Sequence, residues 1–189
     1  MYFIMKKNFK DYSFDFFELL QNLDPALVET LSKKINSFNK NKFTGKIWLF
    51  GNGGSQATCS HIATDLTTNT NIKSLTISDA DLITCFSNDF GYSKWIKVAL
   101  QKFVSKKDMV ILLSCSGNSP NIIEAAKFCK KKKIYLATLS GFKSTNKLKK
   151  IGDINLWVDS MSYNLVELSH FQILAYIVDS LSKKLIKKL

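Results

Sequence analysis

Over 12–40 the apolar residues recur at every third or fourth position: Phe14, Phe17 and Leu20, then Leu27, Leu31, Ile35 and Phe38. That spacing lays an apolar stripe along one side of a helix, and Asp24-Pro25 interrupts it, so two amphipathic helices are predicted. The pattern then changes. Lys46-Ile47-Trp48-Leu49-Phe50 is a short apolar run stopped by Gly51-Asn52-Gly53-Gly54, as expected of a strand buried on both faces that ends in a tight turn. A helical stretch follows from Ser55 to about Asn69. The same succession recurs with a strand over 109–113, a polar turn Ser114-Cys115-Ser116-Gly117-Asn118-Ser119-Pro120, and a helix over 121–132. Between the two units lie Leu75-Thr76-Ile77-Ser78, a helix-like segment through Phe86 and a loop over 87–91. Strands over 134–140 and 154–158 flank a turn with a short helix, and a long helix over 164–188 closes the chain.

Strands alternating with helices predict an α/β fold with a parallel sheet covered on both faces, a doubly wound architecture. No Pro-, Gly- or Ser-rich tract divides the sequence, so 1–189 reads as one domain with 1–42 as a helical extension of the same unit. At 189 residues and 21.4 kDa such a chain buries roughly 70% of its unfolded surface and needs no disulfide or metal staple.

Charge adds little to this picture. The formal net charge is +12, and all 27 cations are lysine. Arginine, the residue suited to bidentate reading of phosphate or guanine, is missing. The densest lysine runs, 130–133 and 183–188, fall at helix ends, where they complement the helix dipole. Nucleic acid is therefore not expected as a partner. Cys59, Cys85, Cys115 and Cys129 show no metal or disulfide spacing. No stretch has the length of a membrane span, and the first residues lack a signal-peptide core, so a cytoplasmic location without membrane contact is expected.

In an open parallel sheet, ligands bind beyond the carboxyl ends of the strands. Both polar turns belong there. Gly51, Gly53 and Gly54 allow close backbone approach, and Ser55 opens a helix whose amides and dipole suit an anion. Ser114, Ser116 and Ser119 add hydroxyls at the second turn. Neither turn is a Walker loop or a dinucleotide fingerprint. His61 and Asp65 lie four apart on one helix, and Glu167 and His170 three apart on another, so each pair shares a face. If the two helices meet, two imidazoles and two carboxylates converge in a set that suits zinc.

Taken in order, Gly51-Asn52-Gly53-Gly54-Ser55, His61, Ser87-Asn88-Asp89-Phe90-Gly91 and Ser114-Cys115-Ser116-Gly117-Asn118-Ser119 resemble the sugar isomerase (SIS) domain, and within it the phosphoheptose isomerases, over nearly the whole chain. The resemblance implies a five-stranded flavodoxin-like sheet and a homotetramer with active sites at subunit contacts. It also implies phosphate held by Ser55, Ser114, Ser116 and Ser119 with Asn52, Gly53, Gly54 and Asp89 beside the sugar. The implied reaction converts sedoheptulose 7-phosphate to a heptose 7-phosphate for surface-polysaccharide synthesis, moving a proton between C1 and C2 through an enediolate. Zinc would be held by His61, Asp65, Glu167 and His170, with Asp65 and His170 as the acid/base pair.

The sequence departs from that family at the chemistry. Asp65 stands for a glutamate, Glu167 for a glutamine, Ala175 for the catalytic histidine when His170 is aligned, and Asn69 for an arginine. His170 is then the expected replacement acid/base. Cys115 reads as a small packing residue or, alternatively, as a thiol activated by a helix N-terminus. A non-catalytic phosphosugar-binding or regulatory protein stands as the alternative function, as does isomerisation of a related sugar phosphate.

Overall fold

The computed structural model describes residues 8–39 and 44–182; the expected helical residues 183–188, Lys40 and the first seven residues lie outside it. Helices α1 (Phe9–Gln21) and α2 (Pro25–Asn36) open the chain. Each is capped by its N-cap side chain: Asn8 Oδ1 accepts from the Asp11 amide and Asp24 Oδ1 from the Ala26 amide, both at 2.9 Å. Strand β1 (Ile47–Phe50) leads into α3 (Gly53–Asn69). The short β2 (Ser74–Leu75) precedes α4 (Ala80–Phe90) and α5 (Trp95–Phe103). Then come β3 (Met109–Ser114), α6 (Pro120–Lys132), β4 (Tyr135–Ser140), a 3₁₀ turn (Leu148–Lys150), β5 (Ile154–Trp157) and α7 (Tyr163–Leu181).

All four strand pairings are parallel, in the order β2-β1-β3-β4-β5. This is the flavodoxin-like order, and its switch point lies between β1 and β3. The strands are apolar without interruption because each face has its own core. Ile47, Leu49, Met109, Ile111 and Leu113 pack against α2, α3 and α7 on one side. Trp48, Phe50, Val110 and Leu112 pack against α5 and α6 on the other.

Two expectations are corrected here. The segment 87–91 is not a loop: α4 runs through Phe90 and is ended by Gly91, whose φ of 85° a side chain would strain. Helix α5, with Trp95, Ile96, Val98, Ala99 and Leu100 buried, adds an element that the periodicity did not predict.

Asp108 fastens the amino edge of the sheet. Its buried carboxylate accepts from the Lys46 amide at 2.8 Å, the Ser105 amide at 2.8 Å and Trp48 Nε1 at 3.3 Å. Removing it orphans three donors at the start of β1 and β3. Asp108→Ala is expected to lower unfolding free energy by about 3 kcal/mol, and Asp108→Asn by less, as read by urea denaturation. A loss within experimental error of zero would refute this account.

Candidate active site

The site follows from where β1 and β3 stop. Both run out at the carboxyl edge, one into the glycine turn and the other into the serine turn. Side-chain amides tie the turns together: Asn52 Nδ2 donates to Asn121 Oδ1 at 3.0 Å and Asn121 Nδ2 returns a bond to Asn52 Oδ1 at 2.8 Å. Asn121 is 1% exposed, so each of its amide atoms is worth a full buried hydrogen bond. Tyr92 Oη also donates to Asn52 Oδ1, at 3.2 Å. Asn52 thus positions the turns, a role the sequence did not disclose for it or for Asn121.

Unlike the caps of α1, α2, α4 and α7, the N-cap residues Asn52 of α3 and Ser119 of α6 make no side-chain cap bond. Ser114 and Ser119 hydroxyls lie 3.1 Å apart, and Ser116 Oγ accepts from the Asn118 amide at 3.2 Å. Gly117 has φ 61°, and a Cβ there would collide with the Asn146 amide. Buried Asn146 is itself fixed beneath this loop by donating to the Gly141 and Lys143 carbonyls at 3.0 Å each, and the Leu148 amide ties the loop down by donating to the Gly117 carbonyl at 2.9 Å. Ser55, 4% exposed, directs its hydroxyl to Cys115 Sγ at 3.7 Å.

Beside these turns, α3 and α7 flank a cleft of about 510 Å³. Gly54, Thr58 and His61 face it at helical spacing from α3, Glu167 and Phe171 face it from α7, and Tyr12 of α1 forms part of its wall. His61 Nε2 pairs with Asp65 Oδ2 at 3.0 Å, and its ring meets Phe171 edge-on with centroids 5.0 Å apart. Glu167 reaches back over the first turn of α3, where a Cβ on Gly54 would strike its carboxylate.

His170 is not with them, and the expected convergence of two imidazoles and two carboxylates is corrected. Residues three apart on a helix are offset by about 60° around its axis, and the boundary between cleft and core falls within that angle, leaving Glu167 at the cleft and His170 in the core. It is fully buried, with Nε2 3.2 Å from the Ser140 carbonyl oxygen and Nδ1 without a partner. Burial holds its imidazole down at about 4, against the opposing effect of the Ser140 bond. Among the described residues no three His, Cys, Asp or Glu side chains meet as a metal centre would require. The residues in place therefore do not fit the expected zinc set. Asp89 is exposed on α4, where it accepts from Asn88 Nδ2 at 3.0 Å, and it does not line the cleft of its own chain. Cys115 is buried rather than activated: burial pushes its thiol up to about 11, the Ser55 bond opposes this, and Glu167 reinforces it.

Comparison with known proteins agrees with this architecture. The pattern of the SIS domain family matches residues 15–141. The phosphoheptose isomerase of Salmonella paratyphi B is 30% identical over 152 residues, 77% of this chain and 79% of that protein. That of Cytophaga hutchinsonii is 35% identical over 124 residues, 63% of this chain and 64% of its own length. The solved structure of a phosphoheptose isomerase from Francisella tularensis superposes with a TM-score of 0.83 at 22% identity, covering 93% of this chain and 95% of the other. The chain therefore belongs to the SIS domain family. Within it, this is a protein of the phosphoheptose isomerase type.

The inward position of His170 has a consequence for stability. The folded state refuses a proton that the unfolded chain accepts below 6.5, so stability is full above that pH and is lost as pH falls towards 4. The loss amounts to about 3 kcal/mol. Urea unfolding at several pH values between 7.5 and 4 is expected to show a steeper decline for the parent than for His170→Asn. Parallel declines would show that His170 does not contribute.

Proposed function

We propose that this chain interconverts the ketose and aldose forms of a phosphorylated seven-carbon sugar, with sedoheptulose 7-phosphate as substrate. The isomerase class follows from the family. The seven-carbon substrate rests on the phosphoheptose isomerase relatives, and the site residues rest on the geometry above. The observation that carries the reading is a serine-lined helix N-terminus joined by paired amides to the turn beside a cleft lined by His61 and Glu167, with Asp65 paired to His61.

The phosphate docks at the α6 turn, on the hydroxyls of Ser114, Ser116 and Ser119, where the helix dipole favours an anion. The glycines of the α3 turn let the sugar approach the backbone, and the Asn52–Asn121 pair fixes the distance between phosphate and reacting carbons. At the edge of the cleft, the Asp65 carboxylate holds Nε2 of His61 and fixes the orientation of the ring. The imidazole then supplies hydrogen bonding to the oxygens of the enediolate as charge develops there. The cytoplasm, where sugar phosphates are handled, is the proposed location. The exposed phenylalanines of α1, Phe9, Phe14 and Phe17 at 85%, 59% and 55%, support the proposed homo-oligomer. Sedimentation is expected to report the mass of four chains, and a monomer at micromolar concentration would contradict it.

An NMR assay with sedoheptulose 7-phosphate is expected to show turnover by the parent. Ser116→Ala with Ser119→Ala should raise KM at least tenfold and abolish the rise in melting temperature that the sugar phosphate confers. A rise in melting temperature without turnover by the parent would establish a binding protein in place of an enzyme.

A further inference from the structure

The family's catalytic histidine position holds Ala175, and the expected replacement pair cannot operate as placed, because His170 is buried against Ser140 and Asp65 is taken up by His61. Among the described residues, the side chains able to accept a proton that line the cleft are His61, Glu167 and Tyr12. Of these, Glu167 alone is a carboxylate, and it enters from the helix facing His61. Its position is built. Gly54 leaves the space that its carboxylate fills, since any side chain there would displace it. The first turn of α3 lies directly beneath it. Beside it, Cys115 stays a neutral thiol in contact with both Glu167 and Ser55, supporting the carboxylate as a donor rather than attacking substrate.

We propose that Glu167 is the carbon base of this enzyme, removing the proton from one of the two reacting carbons and returning it to the other, opposite the His61–Asp65 pair. The proposal rests on the isomerase reading above. From the ketose, the Glu167 carboxylate takes a proton from C1, and the C–H electron pair becomes the C1–C2 double bond. The carbonyl pair moves onto O2, which takes a proton from the protonated His61 through Nδ1, the nitrogen that Asp65 leaves over. In the second half His61 takes the O1 proton, the freed O–H pair forms the C1 carbonyl, and the double-bond pair captures the proton held by Glu167 at C2. Both groups return to their starting states, and no oxidant or further reactant is consumed. The glutamine expected at this position from the family resemblance can do none of this, since an amide does not take a proton from carbon at neutral pH.

The test is Glu167→Gln, which keeps the shape that fills the Gly54 recess, with Glu167→Asp beside it. Turnover of sedoheptulose 7-phosphate and uptake of deuterium from heavy water into C1 and C2 are followed by NMR. Binding is followed by the sugar-phosphate-induced shift in melting temperature. Removing a carbon base is expected to lower kcat and deuterium uptake by about 10² to 10⁴-fold, leave KM and the melting shift within threefold, and permit partial recovery in Glu167→Asp. Deuterium uptake by Glu167→Gln within threefold of the parent would overturn the proposal while leaving the isomerase reading standing. So would loss of the melting shift together with activity, which would make Glu167 a binding or structural group. A parent that neither turns over nor exchanges would overturn both.

Discussion

Everything at this site depends on two neighbouring strands ending together. Because β1 and β3 are adjacent and parallel, their following helices leave on opposite faces of the sheet, and the chain opens a crevice between them. An open crevice has no preferred width. The reciprocal bonds between Asn52 and Asn121 supply one, since two planar amides in a double hydrogen bond have a single favourable separation. With Asn121 buried, shearing the turns apart would strand donors and acceptors out of reach of water. The glycine turn and the serine turn therefore move as one body.

The glycines acquire their meaning from that rigidity. Gly117 takes a left-handed conformation and clears Asn146, Gly54 clears Glu167, and Gly141 clears Val166 of α7, where a Cβ would come within 2.6 Å of a methyl carbon. Each lets a side chain from elsewhere in the fold press onto backbone at the carboxyl edge. The effect is to bring α7 close to both turns, so that a residue late in the chain faces a helix formed early in it. His170 belongs to the same arrangement. Its bond to the Ser140 carbonyl pins α7 to the end of β4, one residue before Gly141, whose amide donates to the Cys115 carbonyl in the serine turn at 2.9 Å.

Reading the sequence works where burial imposes a pattern and fails where it does not. Strands β1, β3 and β4 were legible because two-sided burial leaves an unbroken apolar run. Strand β2 pairs over Ser74–Leu75 only, earlier than the apolar stretch 75–78 suggests, since an edge strand this short carries little signal. Helix α5 escaped because it is only nine residues long, fewer than three turns, although Lys97, Gln101 and Lys102 form a polar stripe opposite its buried side. The turns of the site were visible as polar interruptions, and the His61–Asp65 spacing translated directly into contact. His170 did not, because spacing shows that two residues share a side of a helix but not where the boundary between cleft and core falls. Asn121 carried no mark at all: an asparagine after Pro120 at a helix start looks like any other, and only the partner 69 residues away gives it a role.

The lysine excess makes the same point about charge. Among the described residues no lysine lines the cleft between α3 and α7, although the chain carries a formal +12. Lys130, Lys131 and Lys132 crowd the last turn of α6, whose first turn is the one beside the serines. Thirteen residues of helix separate the two ends by about 20 Å, roughly two Debye lengths at physiological salt, so those cations contribute little at the serine turn. What acts there is the other end of the same helix, with its amides and dipole, and three hydroxyls. Neutral donors of that kind can hold a dianion without forming strong ion pairs to the carboxylates of the same site. A cationic cradle a few ångströms from Glu167 would compete with the substrate for that carboxylate and blunt it as a base. The division of the protein into a lysine-covered exterior and a cleft lined without lysine keeps phosphate binding and proton transfer from interfering with each other.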